Sequence, residues 1–156
     1  MIRAILLAVA AAAATPAGAA VSCTVNPAPL AFGSFTPIDN AIHDSDTTIA
    51  VDCVSDVGAE QASVTVALDG GVGGQVSRRQ MQSGGSGLRY NIFTDPARSI
   101  MWGDGSSGST PGAVLVLSAP NQPQRQEFTA YGRVEAGQST AAVGVYSDSV
   151  VLTVAY

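Results

Sequence analysis

Apolar residues recur at every second position along most of this chain, the period of a strand with one buried face. In residues 47–54, Ile49, Val51 and Cys53 share one side, and Thr48, Ala50 and Asp52 the other. Residues 62–68 set Val64, Val66 and Leu68 against Ser63, Thr65 and Ala67, and Asp69-Gly70-Gly71 then reads as a turn. Residues 88–94 place Leu88, Tyr90 and Ile92 opposite Arg89 and Asn91. Residues 126–134 align Phe128, Ala130 and Val134, and residues 149–156 align Val150, Leu152, Val154 and Tyr156. Residues 113–117 are apolar throughout, which predicts a strand buried on both faces or lying in an interface.

A further strand is expected over residues 22–32. Pro27 and Pro29 interrupt it and suit it to a sheet edge, or to a strand that changes sheets, because proline cannot donate to a ladder. Turn-rich clusters at residues 37–46, 83–87, 102–112 and 120–123 separate these runs. After residue 20 no segment shows a helical period. About seven short strands with frequent turn signals predict an all-β, immunoglobulin-like sandwich.

The first 20 of the 156 residues stand apart, 16 of them being hydrophobic. Arg3, the apolar run over residues 4–14, Pro16 and the small residues Ala17-Gly18-Ala19-Ala20 form a secretory signal peptide. Residues 21–156 are then one exported domain. The apolar run is too short to span a bilayer, so no membrane span is expected. All seven basic residues are Arg; without Arg3, six face twelve Asp and Glu. An acidic chain of this kind lacks the basic face that nucleic acids require.

Cys23 and Cys53 are the only cysteines. Export carries them into an oxidising space, where pairing would close a loop of about 30 residues and stabilise the fold by roughly 3–4 kcal/mol. Lipidation of Cys23 is the alternative, since Ala20-Val21-Ser22-Cys23 distantly resembles a lipoprotein cleavage site; the usual Leu three residues earlier is missing, and Cys53 would be orphaned.

Candidate chemistry is sparse, and no cofactor is implied. His43, the single histidine, lies beside Asp44 and Asp46, where a metal or a Ser-His-Asp triad is conceivable; a solvated loop is the simpler expectation. Gly-x-Ser-x-Gly is absent, and Gly70-Gly71-Val72-Gly73-Gly74 lacks the Lys and helix of a phosphate loop. Trp102 could stack on a sugar ring with Asp104 accepting its hydroxyls, against the plainer role of a turn whose Trp covers the core. The chain is expected not to be an enzyme.

Several segments, taken in order, resemble one family. They are Cys23, Leu30-Ala31-Phe32-Gly33, Ile49-Ala50-Val51-Asp52-Cys53, Arg79-Gln80-Met81 and Leu88-Arg89-Tyr90-Asn91-Ile92-Phe93-Thr94-Asp95. Trp102-Gly103-Asp104-Gly105, Tyr131-Gly132-Arg133-Val134 and Gly144-Val145-Tyr146-Ser147-Asp148-Ser149-Val150-Val151-Leu152-Thr153-Val154 complete the set. Together they are similar to the spore coat protein U domain family, which includes subunits of archaic chaperone–usher pili. The likeness covers about residues 22–156.

That resemblance implies a pilin-type sandwich lacking its final strand. It implies a hydrophobic groove filled first by a periplasmic chaperone and later by the N-terminal segment of a neighbouring subunit, with an outer-membrane usher as a further partner. By the same analogy Leu30, Phe32, Val150, Leu152 and Val154 line the groove, and the protein is a structural or adhesive subunit in a fimbrium or coat at the cell surface. A self-sufficient secreted carbohydrate-binding module is the rival. Because only two or three residues separate the expected cleavage site from Cys23, the resemblance further implies a subunit that receives a strand without donating one, at a pilus tip or outside the polymer.

Overall fold

The structure, a computed structural model, describes residues 20–36 and 40–156. Apart from Ala20, the expected signal peptide lies outside them. Among the described residues eight strands form two sheets: β1 (Val21–Pro27), β2 (His43–Ser55), β3 (Glu60–Leu68), β4 (Gln80–Ser83), β5 (Ser86–Phe93), β6 (Gly112–Leu117), β7 (Gln124–Val134) and β8 (Leu152–Ala155). One sheet has the order β1-β2-β7-β5-β4 and the other β6-β3-β8. Every named pair within them is antiparallel.

The period-two alternation places the core. Ile49, Val51 and Cys53 of β2, Phe128, Ala130 and Val134 of β7, and Leu88, Tyr90 and Ile92 of β5 face inward from the larger sheet. Val64, Val66 and Leu68 of β3 and Leu115 and Leu117 of β6 meet them from the smaller one. Cys23 pairs with Cys53 directly across the β1–β2 ladder, and the two are joined in a disulfide with a sequence separation of 30. The outer face of the larger sheet carries cross-strand carboxylate–guanidinium pairs, Asp52 with Arg125 and Asp44 with Arg133, each held through two hydrogen bonds.

Several boundaries differ from the expected ones, each for a physical reason. β1 stops at Pro27, so residues 28–32 continue without a ladder. β2 begins at His43, inside the cluster expected to be a loop, because Asp44 and His43 pair in register with Arg133 and Val134 of the long β7. β4 was not expected; only four residues long, it is too short for a periodicity to declare itself. β6 is buried on one face only: Leu115 and Leu117 point inward, while Val114 and Val116 are exposed. The last strand shortens to Leu152–Ala155, since residues 147–151 are occupied in crossing from one sheet to the other.

Buried Arg79 fastens the two sheets. It is fully buried; its Nε donates to the Asp69 carbonyl, Nη1 to Asn91 Oδ1, and Nη2 to the carbonyls of Leu68 and Trp102. Burial pulls the guanidinium pKa down, and the nearby Tyr90, Asp69 and Asp148 oppose that shift. The Arg78-Arg79 pair is thus half surface and half core, with Arg79 used as a five-donor fork for main-chain carbonyls.

Candidate functional site

On one side of the sandwich the sheets part, leaving an open groove of about 490 Å³. Inward-facing residues of both sheets, Ile49, Leu68, Tyr90, Ile92 and Ala130, lie along it. Residues 27–32 form one wall and residues 146–152 the other.

The first wall follows from its prolines. Beyond Pro27 the chain hangs on β2 through the Ala28 N–H to the Thr48 carbonyl, Thr47 Oγ1 to the Ala28 carbonyl (3.3 Å) and Ser45 Oγ to the Ala31 carbonyl (2.6 Å). Leu30 and Phe32 turn inward onto Gly132 of β7. A Cβ there would come within 2.6 Å of Leu30 Cδ2 and 2.9 Å of Phe32 Cζ, so the missing side chain is the seat of this wall. Phe32 also meets the Tyr90 ring edge-on at 5.9 Å.

The second wall is fixed by two aspartates. Ser147 pairs with Gln82 of β4, and the chain then leaves the larger sheet. Asp148 Oδ1 accepts the N–H groups of Val72 (2.9 Å) and Ser149 (2.8 Å), while its Oδ2 accepts the Tyr90 hydroxyl at 2.7 Å. Asp69 Oδ1 reciprocates by accepting the N–H groups of Val151 and Gly71, both at 2.9 Å. β8 then pairs with β3 through Leu68↔Leu152 to Thr65↔Ala155. Among the described residues no strand pairs with its outer edge, so a row of main-chain donors and acceptors borders the groove.

Among the described residues Asp148 is the one charged side chain lining the groove. Burial, and then the bond to Asp148, pushes the Tyr90 hydroxyl far above its ordinary pKa, so it stays protonated and donating. The surface is apolar with a polar spot at one lip. That suits an extended segment with alternating apolar side chains, whose backbone can pair with the free edge.

Leu30, Phe32, Val150 and Leu152 all border this groove. Val154 does not; it lies half-buried on β8 opposite Val66, farther along the strand. Tyr90 and Asp148 were missed as groove residues. Tyr90 showed its inward phase in the alternation, whereas Asp148 stands in a stretch with no ladder to give it a phase.

Trp102 and Asp104 take the plainer of the two roles open to them. Trp102 is fully buried, donates Nε1–H to the Val66 carbonyl at 2.9 Å and packs edge-on against Phe128, so neither ring face is open to a sugar. Asp104 turns Oδ1 back onto Ser106 and Ser107, holding its own loop, and these bonds draw its pKa down. His43 stacks on Phe35, with ring centroids 4.1 Å apart. Among the described residues no group of three or more His, Cys, Asp and Glu could hold a metal ion, and no helix is long and apolar enough to cross a membrane.

Solved structures share this architecture, two of them pilus proteins. A chain of the CsuC–CsuE chaperone–tip adhesion subunit pre-assembly complex from the archaic chaperone–usher Csu pili of Acinetobacter baumannii aligns with a TM-score of 0.58 at 19% identity. The alignment covers 88% of this chain and 40% of that one, so the present chain spans well under half its length. The P pilus rod subunit PapA aligns with a TM-score of 0.50 at 17% identity, over 86% of this chain and 98% of PapA. Comparison with curated proteins returned no match.

Fold and groove thus define the class: a pilin-like, immunoglobulin-type β-sandwich open along one edge. Within that class the chain belongs to the Spore Coat Protein U domain family, whose model matches residues 8–153.

Proposed function

We propose that this chain is a non-catalytic structural or adhesive subunit of a chaperone–usher pilus or cell-surface coat, and that its groove accepts a β-strand from another polypeptide. The observation that carries this reading is the groove beside the unpaired edge of β8. Main-chain hydrogen bonds would supply affinity there, and alternate side chains of the incoming strand would fill the apolar space. The partners under this reading are a periplasmic chaperone, an outer-membrane usher and neighbouring subunits, and the route is export through the periplasm to the surface. The likeness to a subunit captured with its chaperone in an archaic pilus pre-assembly complex supports it.

The carbohydrate-binding alternative loses its two residues, since Trp102 is interior and Asp104 holds its own loop. The tip placement belongs to the same proposal. β1 is committed to β2 from Val21 onward, so a donated segment would have to precede Val21, and N-terminal sequencing of the mature protein measures how much chain remains there.

The acceptor role is tested by supplying the strand in cis. About seven residues of alternating Val and Thr, spanning ~23 Å, are joined after Tyr156 through a Gly-Ser linker. The expected result is a higher Tm and loss of aggregation, neither of which a control strand of Ser and Asp confers. Equal Tm and solubility with and without the Val/Thr strand would overturn the proposal.

A further inference from the structure

Tyr90 touches both walls of the groove at once. It rises from β5, 5% exposed, with its ring against Phe32 on the first wall and its hydroxyl on Asp148 of the second. Phe32 and Asp148 themselves lie in no ladder; the nearest backbone anchors of their walls are the Ala28 N–H bond to Thr48 and the Ser147–Gln82 bridge. The first wall is also held to β2 by side-chain hydroxyls, and the second to the Asp69–Val72 turn by the crossed bonds of Asp69 and Asp148.

Resting on the strand-acceptor reading, we propose that Tyr90 is a positioning residue which sets the width of the groove and thereby selects the size of the side chains an incoming strand presents. A rigid aromatic ring has no internal freedom to lengthen. Its rotation is stopped at one end by Phe32 and at the other by a charge-assisted hydrogen bond. Gly71 carries the second half of the clamp: at φ +55° beside the Asp148 carboxylate, it lets the turn present the Val72 N–H to Oδ1. A groove of fixed width takes branched aliphatic side chains and refuses larger rings, because overfilling a packed site forces strained rotamers.

The test uses the full chain with strands appended in cis that differ at one inward position, Val or Phe. In the parent the Val strand is expected to give a Tm ~3–5 °C above that of the Phe strand. Tyr90→Phe keeps the ring and the Phe32 contact but removes the bond to Asp148 Oδ2, and the gap is expected to close. Phe32→Leu, which frees the other end and leaves the hydroxyl bonded, closes it too and serves if Tyr90→Phe does not fold. A merely structural role would lower both Tm values alike; a gap that survives in either folded variant overturns the inference and leaves the acceptor reading standing. Failure of both strands to raise the parent's Tm overturns the acceptor reading itself, and this inference with it.

Discussion

Replacing Arg79 by Met removes the fully buried guanidinium and the four hydrogen bonds it makes to Asp69, Leu68, Trp102 and Asn91. Two effects compete. Burial of the charge costs several kcal/mol, a penalty that Met would lift. Against this, each buried carbonyl left without a donor costs about 1–3 kcal/mol. Hydrophobic replacement of buried ions comes out neutral only when both partners are replaced, and here three of the acceptors are main-chain carbonyls that no mutation removes. Asn91 Oδ1 keeps the Ile92 N–H, which leaves three acceptors stranded. The net expectation for Arg79→Met is a loss of roughly 3–5 kcal/mol. Arg79→Lys keeps the charge but cannot span the same carbonyls, because its three donors radiate from one atom, and it should lose about 2 kcal/mol. Urea unfolding followed by fluorescence is the assay. Trp102, the single and fully buried tryptophan, reports exposure of the core around Arg79. The midpoint should fall with the slope unchanged. An Arg79→Met variant within about 0.5 kcal/mol of the parent, or more stable than it, would show that relief of desolvation outweighs the lost hydrogen bonds and refute the reasoning.

Gly132→Ala puts a Cβ against Leu30 and Phe32 and should cost about 1–3 kcal/mol; adding Leu30→Ala should recover part of it, and strictly additive losses in urea unfolding would mean that these residues do not share the site. Acid should destabilise the domain through its hydrogen-bonded carboxylates. Asp44 and Asp52, each held first by an arginine hydrogen bond, and Asp95 and Asp104, held first by Ile100 N–H and the Ser106 hydroxyl, lie below the ordinary 3.8 when folded. Their contribution is therefore complete above that value and lost as pH falls through the lower folded values. Tm should be level from about pH 8 to 5 and fall below about 4, and modestly so, because these groups lie at the surface, partly exposed and screened by solvent. A Tm that rises on acidification would contradict the assignment.

Alternation made the sandwich legible, because a residue's phase within a laddered strand fixes its side of the sheet. Val64, Val66 and Leu68, or Leu88, Tyr90 and Ile92, could be placed inside with no knowledge of their partners. The same logic fails where the ladder stops. Asp148 has no phase, and its role arises from Val72 and Tyr90, 76 and 58 residues away in sequence. Gly132 reads as one more glycine until Leu30 and Phe32 are seen to occupy its missing side chain. The burial of Arg79, and the choice between the two roles open to Trp102, were illegible for a different reason. Long polar-tipped side chains enter a core when main-chain carbonyls await their donors, and composition does not reveal where those carbonyls point. The groove residues Leu30, Phe32, Val150 and Leu152 came from the family likeness together with alternation, and Val154 shows its limit, for a strand carries its phase beyond the end of the cavity it borders.

The two sheets are unequal, five strands against three, and the difference explains why the groove lies where it does. Inward residues of β2, β5 and β7 extend past the cover that β6, β3 and β8 provide, so Ile49, Tyr90 and Ala130 reach the open side. The chain covers part of this excess with what it has. Leu30 and Phe32 fold in from one margin, and residues 146–152 are tied down at the other by Asp69 and Asp148. Among the described residues neither margin pairs with the outer edge of β8, so each shields apolar side chains without satisfying that edge. Both deficits, exposed apolar surface and unpaired main chain, have the same remedy: a single extended segment laid between the margins satisfies the edge with its backbone and the cavity with alternate side chains. A small ligand could fill the cavity and leave the edge unpaired. A partner that paired with the edge alone would leave the cavity empty. The combination is what favours a strand from another polypeptide as the occupant.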